Sequence, residues 1–160
     1  MTNDKRRAPG AAPKGGRSLG REIAFQVLYG RPFVPVEEGV PLLRSFDRAA
    51  AVATETDKGR DFARELVLGV MQHQAQLDEV ITRFSQNWKI SRIARVELAI
   101  LRLALYEMLH TDMPLKAAIN EAVELSKRFG DENSRNFING ILDAAAKAVS
   151  RGELGPAKQF

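Results

Sequence analysis

The segment from Ser91 to Leu109 constrains the fold most, because apolar side chains fall on nearly every face of the helix that it predicts. Its large apolar residues are Ile93, Val96, Leu98, Ile100, Leu101, Leu103, Leu105, Met108 and Leu109. A helix that is apolar all round is buried on most of its sides. The sequence therefore predicts one central helix with other helices packed around it.

Helical periodicity continues on both sides of this segment. Apolar residues recur at intervals of three and four over about 18–29, 42–53, 58–74, 76–87, 114–129 and 132–150. No segment alternates with a period of two over a useful length, and the Asn-Gly pair at 139–140 lies inside a helical pattern. The prediction is an all-α fold with about seven helices.

Three positions carry local predictions. Ser18 is expected to cap the first helix, because a serine hydroxyl accepts from free backbone N–H groups there. Trp88 continues the apolar stripe of the helix at 76–87 and is expected to face the core. Gly140 is costly inside a helix, so we expect it to permit a close contact between helices.

Length and composition limit the class of protein. The chain has 160 residues, 44% of them hydrophobic, which suits one domain with a real core. It has no cysteine, which excludes disulfides, thiolate metal sites and cysteine nucleophiles. It also has no run of 18 uncharged apolar residues and no secretory signal pattern. We expect a soluble cytoplasmic protein with no membrane partner.

Basic side chains are concentrated at the N-terminus. Residues 1–31 hold seven basic and two acidic residues, whereas the other 129 hold 17 and 18. Residues 1–16 contain several prolines and glycines and no large apolar residue after Met1, so we expect a flexible arm. Such an arm indicates a polyanionic partner such as RNA or DNA, and a solubilising tail is the alternative.

Signals of catalysis are poor. His73 and His110 are the two histidines, and neither has a metal-ligand spacing, so a structural role is expected for both. The GxGxxG and GxSxG motifs are absent, and a loop resembling a phosphate-binding loop has Gly16 in place of its lysine. We therefore predict no catalytic residue, no metal site and no cofactor.

Within this segment, two charges, Glu97 and Arg102, interrupt the stretch VELAILRLAL at residues 96–105. Buried charges are costly unless they are paired, so these residues indicate a strip that reaches the surface. A partner protein could use that strip, with Tyr29 or Tyr106 as an aromatic anchor. An internal ion pair or a plain solvent-facing strip is the alternative.

Three blocks of sequence carry a more specific signal. They are Arg21–Tyr29 (REIAFQVLY), Val96–Glu107 (VELAILRLALYE) and Ala118–Gly130 (AINEAVELSKRFG), the last followed by Phe137–Asp143 (FINGILD). In this order they resemble the NusB family of transcription antitermination factors. The resemblance extends over about residues 17–150.

The resemblance implies an all-α fold of two packed helical subdomains. It implies one RNA-binding domain at 17–150, preceded by the flexible arm at 1–16 and followed by a flexible tail at 151–160. It also implies a function without catalysis. Together with NusE, a ribosomal protein, such a factor binds single-stranded boxA RNA in nascent transcripts, notably of ribosomal RNA operons. The pair helps to assemble an antitermination complex on RNA polymerase.

The resemblance also assigns residues to this function. Ser18, Leu19 and Gly20 stand where relatives often carry further arginines, which lowers the local density of basic side chains. The residues implied to bind RNA are Arg17, Arg21, Arg92, Asn133, Arg135 and Phe137. The residues implied to contact the protein partner are Tyr29, Glu97 and Arg102.

Two alternatives to this function remain open at the level of sequence. A NusB-like domain also precedes the catalytic domain of certain ribosomal RNA cytosine methyltransferases, and such an enzyme needs a further domain. A purely structural helical dimer is the other alternative. Some relatives self-associate, and a homodimer formed without RNA could cover the arginine region.

Overall fold

The computed structural model describes residues 16–30, 57–86 and 88–160. The predicted helix at 42–53 and most of the basic arm lie outside them. The described ranges contain helices and no strand, which confirms the all-α prediction. The six α-helices are α1 (Gly16–Gly30), α2 (Asp57–Gln72), α3 (Gln74–Phe84), α4 (Arg95–His110), α5 (Leu115–Phe129) and α6 (Glu132–Ser150). A 3₁₀ turn, Ile90–Arg92, lies between α3 and α4.

Helix α4 lies at the centre of the bundle, as predicted, and contacts all five other α-helices described. Its side chains Ile100, Leu101, Leu103 and Leu105 are almost completely buried. The helix begins at Arg95 rather than Ser91, because the two residues before it are extended. No described helix is long and apolar enough to cross a membrane.

Helix α1 runs antiparallel to α4. Near its beginning, Arg21 contacts Glu107 in the last turns of α4. At its end, the carbonyl oxygen of Tyr29 accepts a hydrogen bond from Arg95 at the start of α4. The bundle therefore has two ends along α1, which we call the Arg17 end and the Tyr29 end.

Helix α5 runs parallel to α1. Arg21 lies 3.6 Å from Glu121 in the first half of α5, and the Phe25 ring lies 4.7 Å from the Phe129 ring in its last turn. The turn between α4 and α5 is therefore at the Arg17 end. The turn between α5 and α6 is at the Tyr29 end.

Close helix contacts occur at other glycines than the predicted one. A Cβ atom on Gly20 would lie 2.8 Å from Phe62 Cδ2, and one on Gly69 would lie 2.1 Å from Tyr106 Cζ. Gly140 is exposed, and a Cβ atom there would meet nothing within 4 Å. The prediction of a close contact at Gly140 was wrong, because this position faces away from the core.

Replacing Gly140 with alanine should stabilise the protein. Glycine inside a helix costs about 0.5–1 kcal/mol relative to alanine, and the added methyl group has free space. We expect urea denaturation to show a gain of about that size. Gly20→Ala is the matched control and should destabilise, since its methyl group would press on Phe62. A loss of stability in Gly140→Ala would contradict the open environment of this position.

The beginning of α1 also differs from the sequence prediction. Ser18 does not cap α1, because the helix already begins at Gly16. The Ser18 hydroxyl instead donates to Glu121 Oε1 at 3.1 Å. Helix α6 has the expected bounds, and the Asp131 carboxylate caps it by accepting from the backbone N–H of Ser134 at 2.8 Å.

Candidate nucleic-acid interface

Arg21 is buried in an ion pair. Its Nε and Nη2 atoms donate to the two carboxylate oxygens of Glu107 at 2.8 and 2.9 Å, and its Nη1 lies 3.6 Å from Glu121 Oε1. Only 5% of the side chain is exposed. The guanidinium group thus holds α1 against α4 and α5. This geometry gives no support to the predicted RNA contact of Arg21.

Arg17 has the opposite environment, although it lies one turn earlier on the same helix. Its side chain is exposed, and its guanidinium carbon lies 5.2 Å from the centre of the Phe62 ring. Arg21 lies at the same distance from this ring, so the two arginines share one helix face as predicted. Because a cation above an aromatic ring keeps its N–H donors, Arg17 remains available to a phosphate.

Trp88 lies on the surface and not in the core, so its predicted position was wrong. It is 53% exposed, and its ring meets the Phe137 ring edge-on at 6.2 Å. Lys89 and Arg92 are exposed in the same short segment. The contact places Phe137 against the segment that carries Arg92, and both residues are predicted to bind RNA. We call Trp88, Lys89, Arg92 and Phe137 the Trp88 cluster.

The sequence contained a signal for this cluster. Trp88 is the one tryptophan of the chain, and it is followed by Lys89 and Arg92. An exposed aromatic side chain among basic residues is typical of proteins that bind single-stranded nucleic acid. Helical periodicity placed Trp88 in a stripe of core residues, and the signal was therefore missed.

The turn from α5 into α6 carries the remaining predicted RNA residues. Asn133 is exposed in the first turn of α6, and Arg135 is partly exposed. Asp131 fixes this turn as the helix cap. Hydrogen bonds from the backbone and hydroxyl group of Ser134 lower the pKa of Asp131, so its carboxylate stays ionised. The side chains on this turn are thus presented by a fixed backbone.

Tyr29, predicted to contact the protein partner, is 41% exposed at the end of α1. Its ring stacks on Phe25 with centres 5.7 Å apart, and Arg95 lies 5.2 Å from its centre. Arg95 Nη2 also donates to the Tyr29 carbonyl oxygen at 2.6 Å, which satisfies a carbonyl group at the helix end. These contacts hold the ring in place at the surface.

Glu97 and Arg102, the two charges of the strip on α4, have different environments. Arg102 forms two hydrogen bonds with the Asp78 carboxylate, at 2.7 and 2.8 Å, and only 18% of its side chain is exposed. For Arg102 the alternative of an internal ion pair is therefore realised. Glu97 is partly exposed in the first turn of α4, where the helix dipole favours a carboxylate. Glu97 remains accessible to a partner beside the Tyr29 end.

The two histidines pack against each other, with ring centres 3.8 Å apart. His73 Nδ1 lies 2.9 Å from the Gly69 carbonyl oxygen, and His110 Nε2 lies 2.6 Å from Gln76 Oε1. Burial and the neighbouring His73 lower the pKa of His110, which favours its neutral form. In the described part of the chain, no three His, Cys, Asp or Glu residues are grouped to hold a metal ion.

The predicted RNA residues occupy two separate places. Arg17 lies at the Arg17 end, whereas Arg92, Asn133, Arg135 and Phe137 belong to segments that leave from the Tyr29 end. Arg17 and Tyr29 are twelve residues apart, which is about 18 Å along a helix. A small ligand cannot reach both places, but an extended strand can.

The comparison with known protein families decides the identity of this fold. The family model described as the NusB family matches residues 18–147, which is most of the chain. The chain belongs to the NusB family. The resemblance carried by the three sequence blocks is thereby confirmed.

Individual relatives agree with this assignment. Transcription antitermination protein NusB of Nitratidesulfovibrio vulgaris (strain DP4) is 54% identical over 146 residues, which cover 88% of this chain and 94% of that protein. The protein of the same name from Geobacter sulfurreducens (strain ATCC 51573 / DSM 12127 / PCA) is 47% identical over 137 residues, covering 84% and 96%.

Two solved structures share the fold. T. maritima NusB superposes with a TM-score of 0.73 at 34% identity, covering 84% of this chain and 92% of that one. A chain from the crystal structure of antitermination factors NusB and NusE in complex with dsRNA has a TM-score of 0.71 at 27% identity, covering 83% and 97%. The all-helical architecture is therefore that of NusB.

Proposed function

We propose that this chain is an RNA-binding antitermination factor without catalytic activity. Together with NusE it binds single-stranded boxA RNA in nascent transcripts, notably of ribosomal RNA operons, and helps to assemble the antitermination complex on RNA polymerase. It acts in the cytoplasm, where transcripts emerge. The Trp88 cluster is the observation that carries this proposal, because it joins an exposed tryptophan to exposed basic side chains.

The chemistry of the cluster suits a single strand. Bases of an unpaired strand can turn outward and stack on an aromatic ring, which they cannot do inside a duplex. Lys89 and Arg92 are positioned to hold backbone phosphates beside a base stacked on Trp88. Asn133, at the start of α6, offers both a donor and an acceptor to a base edge.

The partner surface adjoins this RNA surface. Tyr29 and Glu97 lie at the end of α1 and the start of α4, and the 3₁₀ turn with Arg92 comes directly before α4. NusE bound to Tyr29 and Glu97 would therefore lie next to an RNA strand on the cluster. Favourable contacts between NusE and the strand would strengthen RNA binding, and by thermodynamic linkage RNA then strengthens NusE binding by the same factor. The related crystal structure of antitermination factors NusB and NusE in complex with dsRNA supports NusE and RNA as joint partners, because all three occur in one complex.

The test is binding of boxA RNA at increasing salt, with and without NusE. Three phosphate contacts, from Arg17, Lys89 and Arg92, should make log K fall by at least about 2 per tenfold rise in salt, because each contact releases counterions. NusE should raise the RNA affinity at every salt concentration. A single strand of equal length without the boxA sequence is the control. Affinity that does not change with salt, or equal affinity for the control strand, would contradict the proposal.

The alternatives have less support. The relatives named above are antitermination proteins and not methyltransferases. A homodimer in the absence of RNA stays a prediction, and light scattering with and without RNA would measure it. A dimer that RNA does not dissociate would favour the structural alternative.

A further inference from the structure

The end of the chain folds back onto the body, although the sequence predicts a flexible tail. After α6, the N–H groups of Gly152 and Glu153 donate to the carbonyl oxygens of Val149 and Ala148, both at 3.0 Å. This pattern ends helices and requires a left-handed residue, which Gly152 supplies with φ +76°. Leu154 then packs against the core. We call residues 152–158 the C-terminal strap.

The C-terminal strap places Lys158 beside the turn between α4 and α5. Lys158 Nζ donates to the carbonyl oxygen of Met113 at 2.9 Å and to that of Glu107 at 3.4 Å. Within the described ranges, Lys158 makes no ion pair with a carboxylate. Carbonyl groups orient an ammonium group but leave its full positive charge. Because the group has three N–H donors, one remains for another acceptor.

This position is the Arg17 end of the bundle. Met113 Sδ lies 3.4 Å from Arg21 Nη2, and Arg21 and Arg17 share the Phe62 ring. A continuous chain of contacts thus leads from Lys158 to Arg17. Lys116, three residues after Met113, is exposed in the first turn of α5. Three basic side chains therefore lie at one corner.

The charge at this corner is not balanced. Arg21 is neutralised by Glu107 and Glu121, as described above. Because Arg21 carries one charge against those two carboxylates, Arg17, Lys116 and Lys158 face one remaining negative charge there and the exposed acid Asp112, which leaves a net charge of +1. In the sequence, Arg17 comes three residues after Lys14, the last of the four basic residues of the arm, which are Lys5, Arg6, Arg7 and Lys14. An excess of positive charge at one corner attracts a polyanion.

We propose that Lys158, with Arg17 and Lys116, forms a second phosphate-binding site for the RNA backbone at the end opposite the Trp88 cluster. This proposal rests on the proposed function and adds to it a contact from outside the residues 18–147 that match the family model. The site binds phosphate groups, so it contributes affinity without reading sequence. An RNA strand held at both ends then lies along α1.

A purely structural role is the competing explanation. A lysine that donates to the last carbonyl groups of a helix is a normal C-terminal cap, and it would stabilise α4 whether or not RNA binds. The two roles differ in the dependence of RNA affinity on salt. Removing a phosphate contact lowers the slope of log K against log salt by about 0.7 for a single strand, whereas loss of a cap leaves the slope unchanged.

The experiment compares Lys158→Met with Lys147→Met in the full chain with boxA RNA and NusE. Lys147 is an exposed control on α6 that pairs with Asp143. Methionine keeps an apolar stem, and circular dichroism checks the fold. We expect Lys158→Met to bind about fivefold more weakly at 0.1 M salt, with the slope lower by about 0.7, because one counterion-releasing contact is lost. Lys147→Met should bind as the wild type does.

Two further variants keep the result decisive. Lys158→Arg keeps the charge and should restore the slope, and Lys116→Met should lower the slope without touching the cap of α4. An unchanged slope in both Lys158→Met and Lys116→Met overturns the second site and leaves the proposed function intact. If the wild type does not bind boxA RNA at any salt concentration, the proposed function itself fails.

Discussion

Replacing Glu107 with alanine is expected to lower the free energy of unfolding by about 3–5 kcal/mol. The change removes both carboxylate oxygens that bind Arg21, which is only 4% exposed. The guanidinium group would then be buried with Glu121 alone, at 3.6 Å. A buried charge without its partner loses its hydration and gains too little in return. The predicted loss is a large part of the stability of a domain of this size.

Urea denaturation monitored by circular dichroism measures this loss. Glu124→Ala is the matched control, since Glu124 pairs with Lys127 at 3.2 Å on the exposed side of α5. An exposed pair contributes about 0–1 kcal/mol, so the control should remain close to the wild type. Equal stability of the two variants would show that the Arg21–Glu107 pair does not hold α1 in place.

A double variant separates the structural role of Arg21 from a role in RNA binding. Arg21→Met with Glu107→Leu removes both charges and leaves apolar side chains of similar volume. Replacements of this kind are often neutral or stabilising, so we expect most of the lost stability to return. If Arg21 is only structural, this variant should bind boxA RNA as the wild type does. Loss of RNA binding in a stable double variant would restore the RNA contact that the sequence predicted.

Elements determined by local periodicity were predictable. Helix α6 runs from Glu132 to Ser150 as expected, because Asp131 caps it and its apolar stripe is unbroken. The apolar segment predicted α4 as the central helix, because few arrangements bury a helix on nearly all sides. The family was predictable from three blocks that are far apart in the sequence but keep their order.

Contacts between distant residues were not predictable in this way. Arg21 and Glu107 are 86 residues apart, and nothing in either segment indicates that they meet. From charge alone, Arg21 belongs with Arg17 as a basic residue at the start of α1. Burial separates the two, since Arg21 turns toward α4 and α5 while Arg17 remains outside. Periodicity shows which face of a helix is apolar, but not which charges are paired in the fold.

The position of Trp88 depends on a single backbone conformation. Trp88 follows Phe84 by four residues and would continue its stripe if the helix went on. Helix α3 ends at Phe84, and Gln86 adopts φ +55°, which is uncommon outside glycine. The chain leaves the helix axis there, and Trp88 reaches the surface. Gln86 carries no sequence signal for this turn, so the prediction of a core tryptophan failed.

Replacing Trp88 with alanine should weaken boxA RNA binding by about 1–3 kcal/mol, which is about five- to 150-fold. The exposed indole offers a flat face on which a base can stack, and alanine offers none. Because Trp88 is 53% exposed and meets Phe137 only by an edge, its loss should change the free energy of unfolding little. Fluorescence anisotropy of labelled boxA RNA at fixed salt measures the affinity.

The salt dependence of this variant distinguishes stacking from charge. An aromatic ring neutralises no phosphate, so its loss does not change the number of counterions that are released when RNA binds. Trp88→Ala should therefore have a lower affinity but the same slope of log K against log salt as the wild type. Trp88→Phe keeps a smaller ring and should retain most of the affinity. Lys158→Met, at the other end of α1, should instead lower both the affinity at 0.1 M salt and the slope. Binding by Trp88→Ala within twofold of the wild type would remove the Trp88 cluster from the RNA interface. Among the described residues, Trp88 is the one exposed aromatic side chain in the segment that carries Lys89 and Arg92.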